Sequence, residues 1–224
     1  MASGELGEKP AIHVWESDTL QNIAVLKGIH SKGVSLLCFI KQNDLLASCG
    51  VRIDSPLLVY NVNDGTLVLS TRLKGYALDL QIAKPYLWDP EEKDFIPEED
   101  QTNLIFSCTE HELYIFTYES GIFTTGEIRM SEFQITSPIT CCYAFTCDYS
   151  SDDTQNIDKK IVTLTGHSNG KVLVWENMQD KRELDDYKGT VIDITCSEIN
   201  VIIASSPSFL HFVRETFDFF LIFH

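Results

Sequence analysis

The chain contains the run Thr165-Gly166-His167-Ser168-Asn169-Gly170-Lys171-Val172-Leu173-Val174-Trp175-Glu176, in which a Ser-Asn-Gly turn joins two stretches with strand character. The second stretch is apolar and β-branched, and it ends in a tryptophan followed by an acid. An Asn-Gly turn of this kind connects the strands of a β-hairpin. A Trp-acid ending is typical of one strand in the blade of a β-propeller. The run therefore predicts an all-β fold built from propeller blades.

The same ending returns at three other places in the sequence. An aromatic residue closes a short apolar stretch at residues 11–15, 57–60 and 113–116, as it does in the run above. The four aromatic residues are Trp15, Tyr60, Phe116 and Trp175, at intervals of 45, 56 and 59 residues. Propeller repeats have a period of about 40–45 residues. This recurrence predicts a single WD-repeat region over residues 1–224, with four-stranded antiparallel meanders whose strands a to d run outward from the central channel.

Three complete blades are predicted, at residues 33–73, 76–130 and 137–188. The second carries an acidic insertion at 84–102, which contains three prolines and is interpreted as a surface loop. The third carries a polar insertion at 148–158. These insertions account for the two longer intervals between the aromatic residues.

The two ends of the chain each predict part of a blade. Residues 1–28 hold two strands, at 11–15 and 19–26, that read as the outer half of a blade whose inner strands are missing. Residues 189–224 hold the inner two strands of another blade and then a Phe-rich tail. The tail is either an ordinary core strand, around 209–213, or a chain end that departs from the native repeat. Three complete and two partial blades predict an incomplete propeller.

Composition excludes several classes of function. The net charge is −16, and such a surface repels nucleic acid and anionic membranes while it favours basic partner segments. No apolar run approaches the roughly 18 residues that span a bilayer. The first residues show no signal peptide, because they have neither a basic region nor an apolar segment. We therefore expect a cytoplasmic protein that binds other proteins.

The seven cysteines are interpreted as buried reduced thiols, because their number is odd and no Cys-x-x-Cys pair is present. Cys141 and Cys142 are adjacent, and neighbours on a strand point to opposite faces. We therefore expect only one of these two thiols to point inward.

Catalytic and metal-binding patterns are absent from the sequence. It has no Gly-rich phosphate loop, no Gly-x-Ser-x-Gly and no His-Glu-x-x-His. His13, His111 and His211 are scattered singly, and His167 is interpreted as a solvated turn residue. The acidic segment 89–100 lacks the spacing of a calcium loop. The sequence therefore predicts a non-enzymatic protein without cofactor or metal.

The N-terminal stretch is more specific than a general WD-repeat. Ala2-Ser3-Gly4-Glu5-Leu6-Gly7-Glu8-Lys9-Pro10-Ala11-Ile12-His13-Val14-Trp15-Glu16-Ser17 resembles the SGQxGxxPxIxVWDS signature of the echinoderm microtubule-associated protein-like family. The resemblance continues through residues 26–39, 46–50 and 58–60, and more loosely to residue 196.

The resemblance implies a scaffold of the cytoskeleton. That family carries tandem propellers and associates with tubulin and microtubules. The resemblance therefore implies that the partner is tubulin or an axonemal protein. It also implies a location in the cytoplasm and cytoskeleton, including the ciliary axoneme. The alternative is a general WD-repeat interaction module of a non-cytoskeletal complex.

The resemblance also implies structural roles for six residues. In WD-repeats a His, a Ser or Thr and a Trp form a buried hydrogen-bonded chain that locks a blade. His30, Ser48 and Tyr60 stand in these three places, with tyrosine in place of tryptophan. Trp15, Phe116 and Trp175 occupy the aromatic place in the other blades. The resemblance implies that these residues hold blades together and have no role in catalysis.

Overall fold

The computed structural model of the chain describes residues 1–27, 29–40, 44–51, 56–89, 94–97, 104–119, 122–150, 157–197, 200–207 and 209–213. These residues form β-sheets and almost no helix, so the all-β prediction is confirmed. The chain divides into two compact units. One comprises Met1–Ile82 and Asn103–Thr125, and the other comprises Ala83–Thr102 and Gly126–His224.

Twenty strands lie within the described residues. They are β1 (Ala2–Gly4), β2 (Ala11–Trp15), β3 (Asn22–Lys27), β4 (Val34–Ile40), β5 (Leu45–Gly50), β6 (Pro56–Asn61), β7 (Leu67–Arg72), β8 (Asp79–Ile82), β9 (Lys84–Asp89), β10 (Asp94–Pro97), β11 (Leu104–Cys108), β12 (Glu112–Glu119), β13 (Ile122–Arg129), β14 (Ile139–Ser150), β15 (Ile157–His167), β16 (Lys171–Glu176), β17 (Asp180–Asp186), β18 (Val191–Ser197), β19 (Asn200–Ser205) and β20 (Phe209–Val213). A 3-10 turn spans Met130–Phe133. None of the helical segments in this part of the chain is long and apolar enough to cross a bilayer.

The strands form five sheets, numbered here as blades in chain order. The second blade is the meander β4-β5-β6-β7, and the third is β8-β11-β12-β13. The fourth contains the meander β14-β15-β16-β17, while the first and fifth have three strands each, β1-β2-β3 and β18-β19-β20. The described residues thus form three blades with a full meander and two with three strands, as in a β-propeller.

The first blade differs from its sequence-based prediction. β1 pairs with the inner side of β2, with Ser3 opposite His13 and Ala2 opposite Val14. One inner strand is therefore present where the sequence predicted that both are missing. A three-residue strand of Ala, Ser and Gly has no alternation and little β-propensity, so its formation depends on pairing with β2.

The acidic insertion at 84–102 is not a loop throughout, so that interpretation is wrong. β9 and β10 form an antiparallel hairpin inside it, with Phe95 opposite Trp88. β9 also runs parallel to β14, with Lys84 opposite Phe145, and so joins the sheet of the fourth blade. The stretches Tyr86-Leu87-Trp88 and Phe95-Ile96 have residue types that favour strands. They were not predicted as strands because the prolines and acids around them are typical of a loop.

The polar insertion at 148–158 is partly an extension of two strands. β14 and β15 continue their pairing to Ser150 opposite Ile157, and residues 151–156 lie outside the described part of the chain. At the C-terminal end, β20 forms where a strand around 209–213 was predicted. Residues 214–224, the remainder of the Phe-rich tail, also lie outside the described part.

Adjacent blades pack face to face, and the same two kinds of face meet in each described contact. We call the face that carries the strand-c aromatic residue the front face, and the opposite face the back face. The back face of the first blade packs on the front face of the second in a cluster that includes Ile12, Val14, Leu26, Leu46, Leu58 and Tyr60. The back face of the second packs on the front face of the third in a cluster that includes Cys49, Leu57, Val59, Ile105, Tyr114 and Phe116. Each large apolar side chain buried in this way contributes about 1.5–3 kcal/mol.

The fourth and fifth blades repeat this arrangement in the second unit. The back face of the fourth blade and the front side of the fifth share a cluster that includes Tyr143, Leu164, Val174, Val191, Ile194 and Ile203. The same packing rule therefore holds in both units.

Candidate functional site

A hydroxyl and an aromatic residue recur in one register on the front faces of four blades. In each, a Ser or Thr on strand b lies opposite the residue two positions before the aromatic residue on strand c. The opposed pairs are Ser3 with His13, Ser48 with Leu58, Ser107 with Tyr114, and Thr165 with Leu173. Residues two apart on a strand share a face. The register therefore brings each hydroxyl diagonally next to Trp15, Tyr60, Phe116 or Trp175.

The fourth blade contains a complete hydrogen-bonded chain. The Trp175 Nε1–H donates to Thr165 Oγ1 at 3.0 Å, and Thr165 Oγ1 lies 3.0 Å from His167 Nε2. His167 Nδ1 lies 3.0 Å from the carbonyl oxygen of Ser137. Because a carbonyl only accepts, Nδ1 carries a proton, and in the neutral ring Nε2 then accepts from the Thr165 hydroxyl. The ring of Phe133 packs edge-on against Trp175 at 5.0 Å.

His167 is a buried member of this chain, so its interpretation as a solvated turn residue is wrong. Its exposure is 1%, and it is the last residue of β15, opposite Ile139. The turn begins only at Ser168. One sequence signal could have assigned His167 to the front face of this strand. Thr163, Thr165 and His167 alternate with apolar residues, so they share the face of Trp175.

His30 and Ser48 form the corresponding contact in the second blade. His30 Nε2 lies 2.9 Å from Ser48 Oγ, and both residues are buried. Among the described residues, His30 Nδ1 is buried without a hydrogen-bond partner. Burial lowers the pKa of His30 and raises that of Tyr60. A histidine thus contacts the strand-b hydroxyl in two blades, from different places in the chain. His30 lies before strand a of the second blade, and His167 is at the end of strand b of the fourth.

The remaining front faces vary this arrangement. Phe116 has no polar atom to donate, and Ser107 Oγ donates instead to the carbonyl oxygen of Asp79 at 2.8 Å. In the first blade Trp15 Nε1 donates to Ser3 Oγ at 3.2 Å, in an exposed position. In the fifth blade Ile203 and Val213 occupy the hydroxyl and aromatic places, so no polar lock of this type can form there.

A histidine and a carboxylate adjoin Trp15. His13 stacks on the Trp15 ring at 5.6 Å, and its Nε2 lies 2.9 Å from Glu5 Oε1. The Ala11 backbone N–H donates to Glu5 Oε2 at 2.9 Å. That hydrogen bond, followed by the contact with His13, lowers the pKa of Glu5.

The described thiols do not form a reactive site. Burial raises the pKa of Cys49 to about 12 and that of Cys38 to about 11, so both stay protonated near neutral pH. Cys141 and Cys142 are both buried. The expectation that only one of them points inward is wrong, because both faces of this strand are buried in the blade. Within the described residues, His, Cys, Asp and Glu form no group of three that could hold a metal ion.

A cleft of about 210 Å³ lies next to the hydrogen-bonded chain of the fourth blade. One wall is the segment that leads into strand a, and the other is the turn between strands b and c. The lining residues are Phe133, Gln134, Ile135, Thr136, Ser137, His167, Asn169, Lys171, Leu173 and Glu183. The sequence did not indicate this cleft, because its walls come from segments about 30 residues apart.

Hydrogen bonds fix the two walls of the cleft to each other. Ser137 Oγ lies 3.1 Å from Ser168 Oγ and accepts the Asn169 backbone N–H at 3.2 Å. Lys171 and Glu183 form an ion pair at the edge of the cleft. The cleft is therefore a preformed feature whose base is the buried His167.

The stability of the protein should fall between pH 7.5 and 5.5 in part because of His30. Burial lowers its folded-state pKa below the ordinary value of about 6.5. As pH falls through 6.5, the unfolded chain takes up a proton that folded His30 does not, and stability decreases. We expect the urea midpoint, followed by circular dichroism, to fall less for His30→Gln than for the wild type. His111→Gln, at an exposed histidine, is the matched control. Equal pH dependence of all three proteins would contradict this assignment.

Comparison with known proteins supports the fold. No family model matches the sequence. The computationally designed Ika4 protein is 14% identical, with a TM-score of 0.53 over 87% of this chain and 98% of that one. The β-propeller domain of Cps50 (Swd1) from Myceliophteria thermophila is 11% identical, with a TM-score of 0.58 over 94% of this chain and 67% of that one. At these identities the similarity concerns the fold, which is that of a β-propeller.

Proposed function

We propose that this protein is a non-enzymatic WD-repeat scaffold and that a protein partner binds at the cleft of the fourth blade. The volume of the cleft supports this proposal. At about 210 Å³ it is smaller than the roughly 300–1,000 Å³ of small-molecule sites, and it suits one or two side chains of a protein. Its walls are turn segments on a rigid sheet, which is where propellers and other scaffolds present binding residues.

The geometry of the Ser48–His30 pair supports the non-enzymatic assignment. A hydroxyl 2.9 Å from an imidazole nitrogen could in principle form a nucleophile and its base. Ser48 is completely buried on the face that packs against the first blade, so a substrate could not reach it. The pair therefore serves packing.

The N-terminal resemblance supports a choice of partner, and the acidic charge of the chain restricts docking to a basic segment of that partner. The net charge of −16 favours a basic segment on the partner. Glu183 at the rim of the cleft is paired with Lys171, so this attraction comes from the overall charge of the chain. The likeness of residues 2–17 to the echinoderm microtubule-associated protein-like signature favours tubulin or an axonemal protein, and with it a location in the cytoplasm and cytoskeleton.

Co-sedimentation with tubulin dimers and with microtubules tests this proposal. We expect binding at low salt that weakens as salt rises. Thr136→Arg should weaken it at least tenfold, because a long charged side chain would fill the cleft. Thr124→Arg makes the same change at an exposed residue that does not line the cleft, and it should bind like the wild type.

Three outcomes separate the possible partners. Absence of tubulin binding at low salt would exclude the cytoskeletal partner. Recovery of a different complex, lost in Thr136→Arg and kept in Thr124→Arg, would then support the general interaction module. Equal binding of a partner by both variants would show that the cleft is not the binding site.

A further inference from the structure

The residues that line the cleft of the fourth blade differ in depth. His167 and Leu173 at its base are buried, with exposures of 1% and 3%. Phe133, Ile135 and Ser137 on its walls are half-buried. The exposed residues at its rim are all polar, namely Gln134, Thr136, Asn169 and Glu183. A buried base inside a polar rim is also the arrangement of a protein–protein interface, in which an apolar centre is surrounded by polar groups.

The polar atoms at the base of the cleft already have partners. Both ring nitrogens of His167 are engaged, Nδ1 with the Ser137 carbonyl oxygen and Nε2 with the Thr165 hydroxyl, each at 3.0 Å. Ser137 Oγ lies 3.1 Å from Ser168 Oγ and accepts the Asn169 backbone N–H at 3.2 Å. A charged or strongly polar group that entered the base would therefore lose its hydrogen bonds to water without gaining equivalent ones from these atoms. The base favours an apolar group.

The size and lining of the cleft suit an aromatic ring. Its volume is about 210 Å³, whereas an apolar cavity of about 150 Å³ is large enough to bind benzene. The remaining space accommodates the methylene group that carries such a ring in a protein side chain. The rings of Phe133 and His167 line the cleft, and aromatic rings pack favourably against one another in edge-to-face or offset arrangements.

The rim of the cleft suits the polypeptide on either side of such a ring. Asn169 Oδ1 accepts the Lys171 backbone N–H at 3.2 Å, so the side-chain NH2 group of Asn169 points away from this contact. Gln134 and Thr136 are exposed and carry further side-chain donors and acceptors. These three side chains can bond the backbone of a bound segment, while the net charge of −16 favours basic residues in that segment.

We propose that the protein partner inserts one aromatic side chain into the cleft and carries basic residues on both sides of it. This inference rests on the proposed function, because it specifies which group of the partner the cleft accepts. The overall charge of the chain attracts the segment, and the base of the cleft selects the side chain that enters. A guanidinium or an ammonium group is excluded from the base, although the net charge alone would favour a cation there.

NMR titration of the full chain with capped peptides of the form Lys-Lys-X-Lys-Lys tests this proposal. The variable residue X is phenylalanine, alanine, arginine or glutamate, and the lysines keep the electrostatic attraction similar. We expect the phenylalanine peptide to bind in the millimolar range. Its ring should shift the resonances of the Trp175 indole N–H, which lies beside Phe133, and of the Asn169 side-chain amide. The other three peptides should bind at least tenfold more weakly, because they bring no aromatic surface to the base.

Two pairs of variants test whether the peptide binds at the cleft. Thr136→Arg obstructs the cleft and should abolish binding of the phenylalanine peptide, whereas Thr124→Arg should not. Ile135→Ala removes part of an apolar wall and should weaken binding about fivefold. Ile122→Ala makes the same change at an exposed residue that does not line the cleft, and it should bind like the wild type. Unchanged thermal unfolding of each variant shows that the fold is retained.

The outcomes separate this inference from the proposed function. Absence of binding by all four peptides would overturn the inference, and so would an arginine or glutamate peptide that binds as tightly as the phenylalanine peptide. Binding of the phenylalanine peptide that persists in Thr136→Arg would also overturn it, because the ring then lies elsewhere. In each of these cases, loss of the protein partner in Thr136→Arg would leave the proposed function standing. Selective binding of the phenylalanine peptide, together with a partner that binds Thr136→Arg and Thr124→Arg equally, would support the chemistry assigned to the cleft and exclude the proposed function.

Discussion

Replacing Trp175 by alanine is expected to lower the free energy of unfolding by about 3–5 kcal/mol, because it removes a fully buried indole. The substitution leaves a cavity beside Phe133 and removes the donor to Thr165 Oγ1. Thr165 would then have only His167 as a partner in the chain that ends at Ser137. Urea unfolding followed by circular dichroism measures the change.

Trp175→Phe separates the two contributions. Phenylalanine retains most of the buried apolar surface and loses the indole N–H, so we expect a loss of about 1–2 kcal/mol. Phe116 occupies the same place in the third blade, which shows that the fold accepts this side chain there. A loss below about 1 kcal/mol for Trp175→Ala would contradict the dense packing that the structure shows around this ring.

Gly170→Ala is the second substitution with a large expected effect. Gly170 has φ = +90°, and an added Cβ would overlap the carbonyl oxygen of Tyr187 and lie 2.7 Å from that of Gly189. The overlap cannot be relieved by a side-chain rotation, because both atoms belong to the backbone. The Tyr187 N–H also donates to the Gly170 carbonyl at 2.9 Å, which holds the two segments together. We expect a loss of about 3 kcal/mol or more.

Gly65→Ala isolates the cost of the backbone conformation alone. Gly65 also has positive φ, at +71°, but its added Cβ would make only an ordinary contact, 3.7 Å from Leu26 Cδ2. We expect a loss of about 1 kcal/mol there. The same urea experiment compares the two variants. Equal losses would show that the turn at Gly170 can move away from Tyr187, contrary to the arrangement described.

The blade pattern was readable from sequence because its signals are local. Asn63-Asp64-Gly65 predicts a tight turn, and Asp64 accepts hydrogen bonds from the Thr66 N–H and hydroxyl in the structure. Alternating apolar residues predict the meander on either side of it. β1 and β9 could not be found in this way. β1 has three residues of low β-propensity and forms by pairing with β2. β9 lies among prolines and acids and is held by β10 and by the distant strand β14.

The candidate site was less accessible from sequence. Ser48, Tyr60 and Trp175 could be singled out from their positions in the repeat. The role of His167 was missed, because its contact with Thr165 depends on where β15 ends. The alternation of polar residues that ends at His167 indicates its face but not this contact. The cleft was invisible because Ser137 and Asn169 meet only after the strands have paired. Spacing along the chain carries no information on such contacts unless the register is already known.

The side chain of Thr140 has a consequence for how the fourth and fifth blades unfold. Thr140 occupies the register shift at the start of β14, and its Oγ1 lies 3.0 Å from the Gly166 carbonyl oxygen and 2.6 Å from that of Val191. The first carbonyl belongs to its own blade and the second to the next. The hydroxyl has one proton, which it donates to either carbonyl, and the shorter contact is the one to the fifth blade. Opening of the fifth blade therefore breaks the hydrogen bond between the two blades and uncovers Gly166, which packs under Val191. We therefore expect the two blades to unfold together as one cooperative unit.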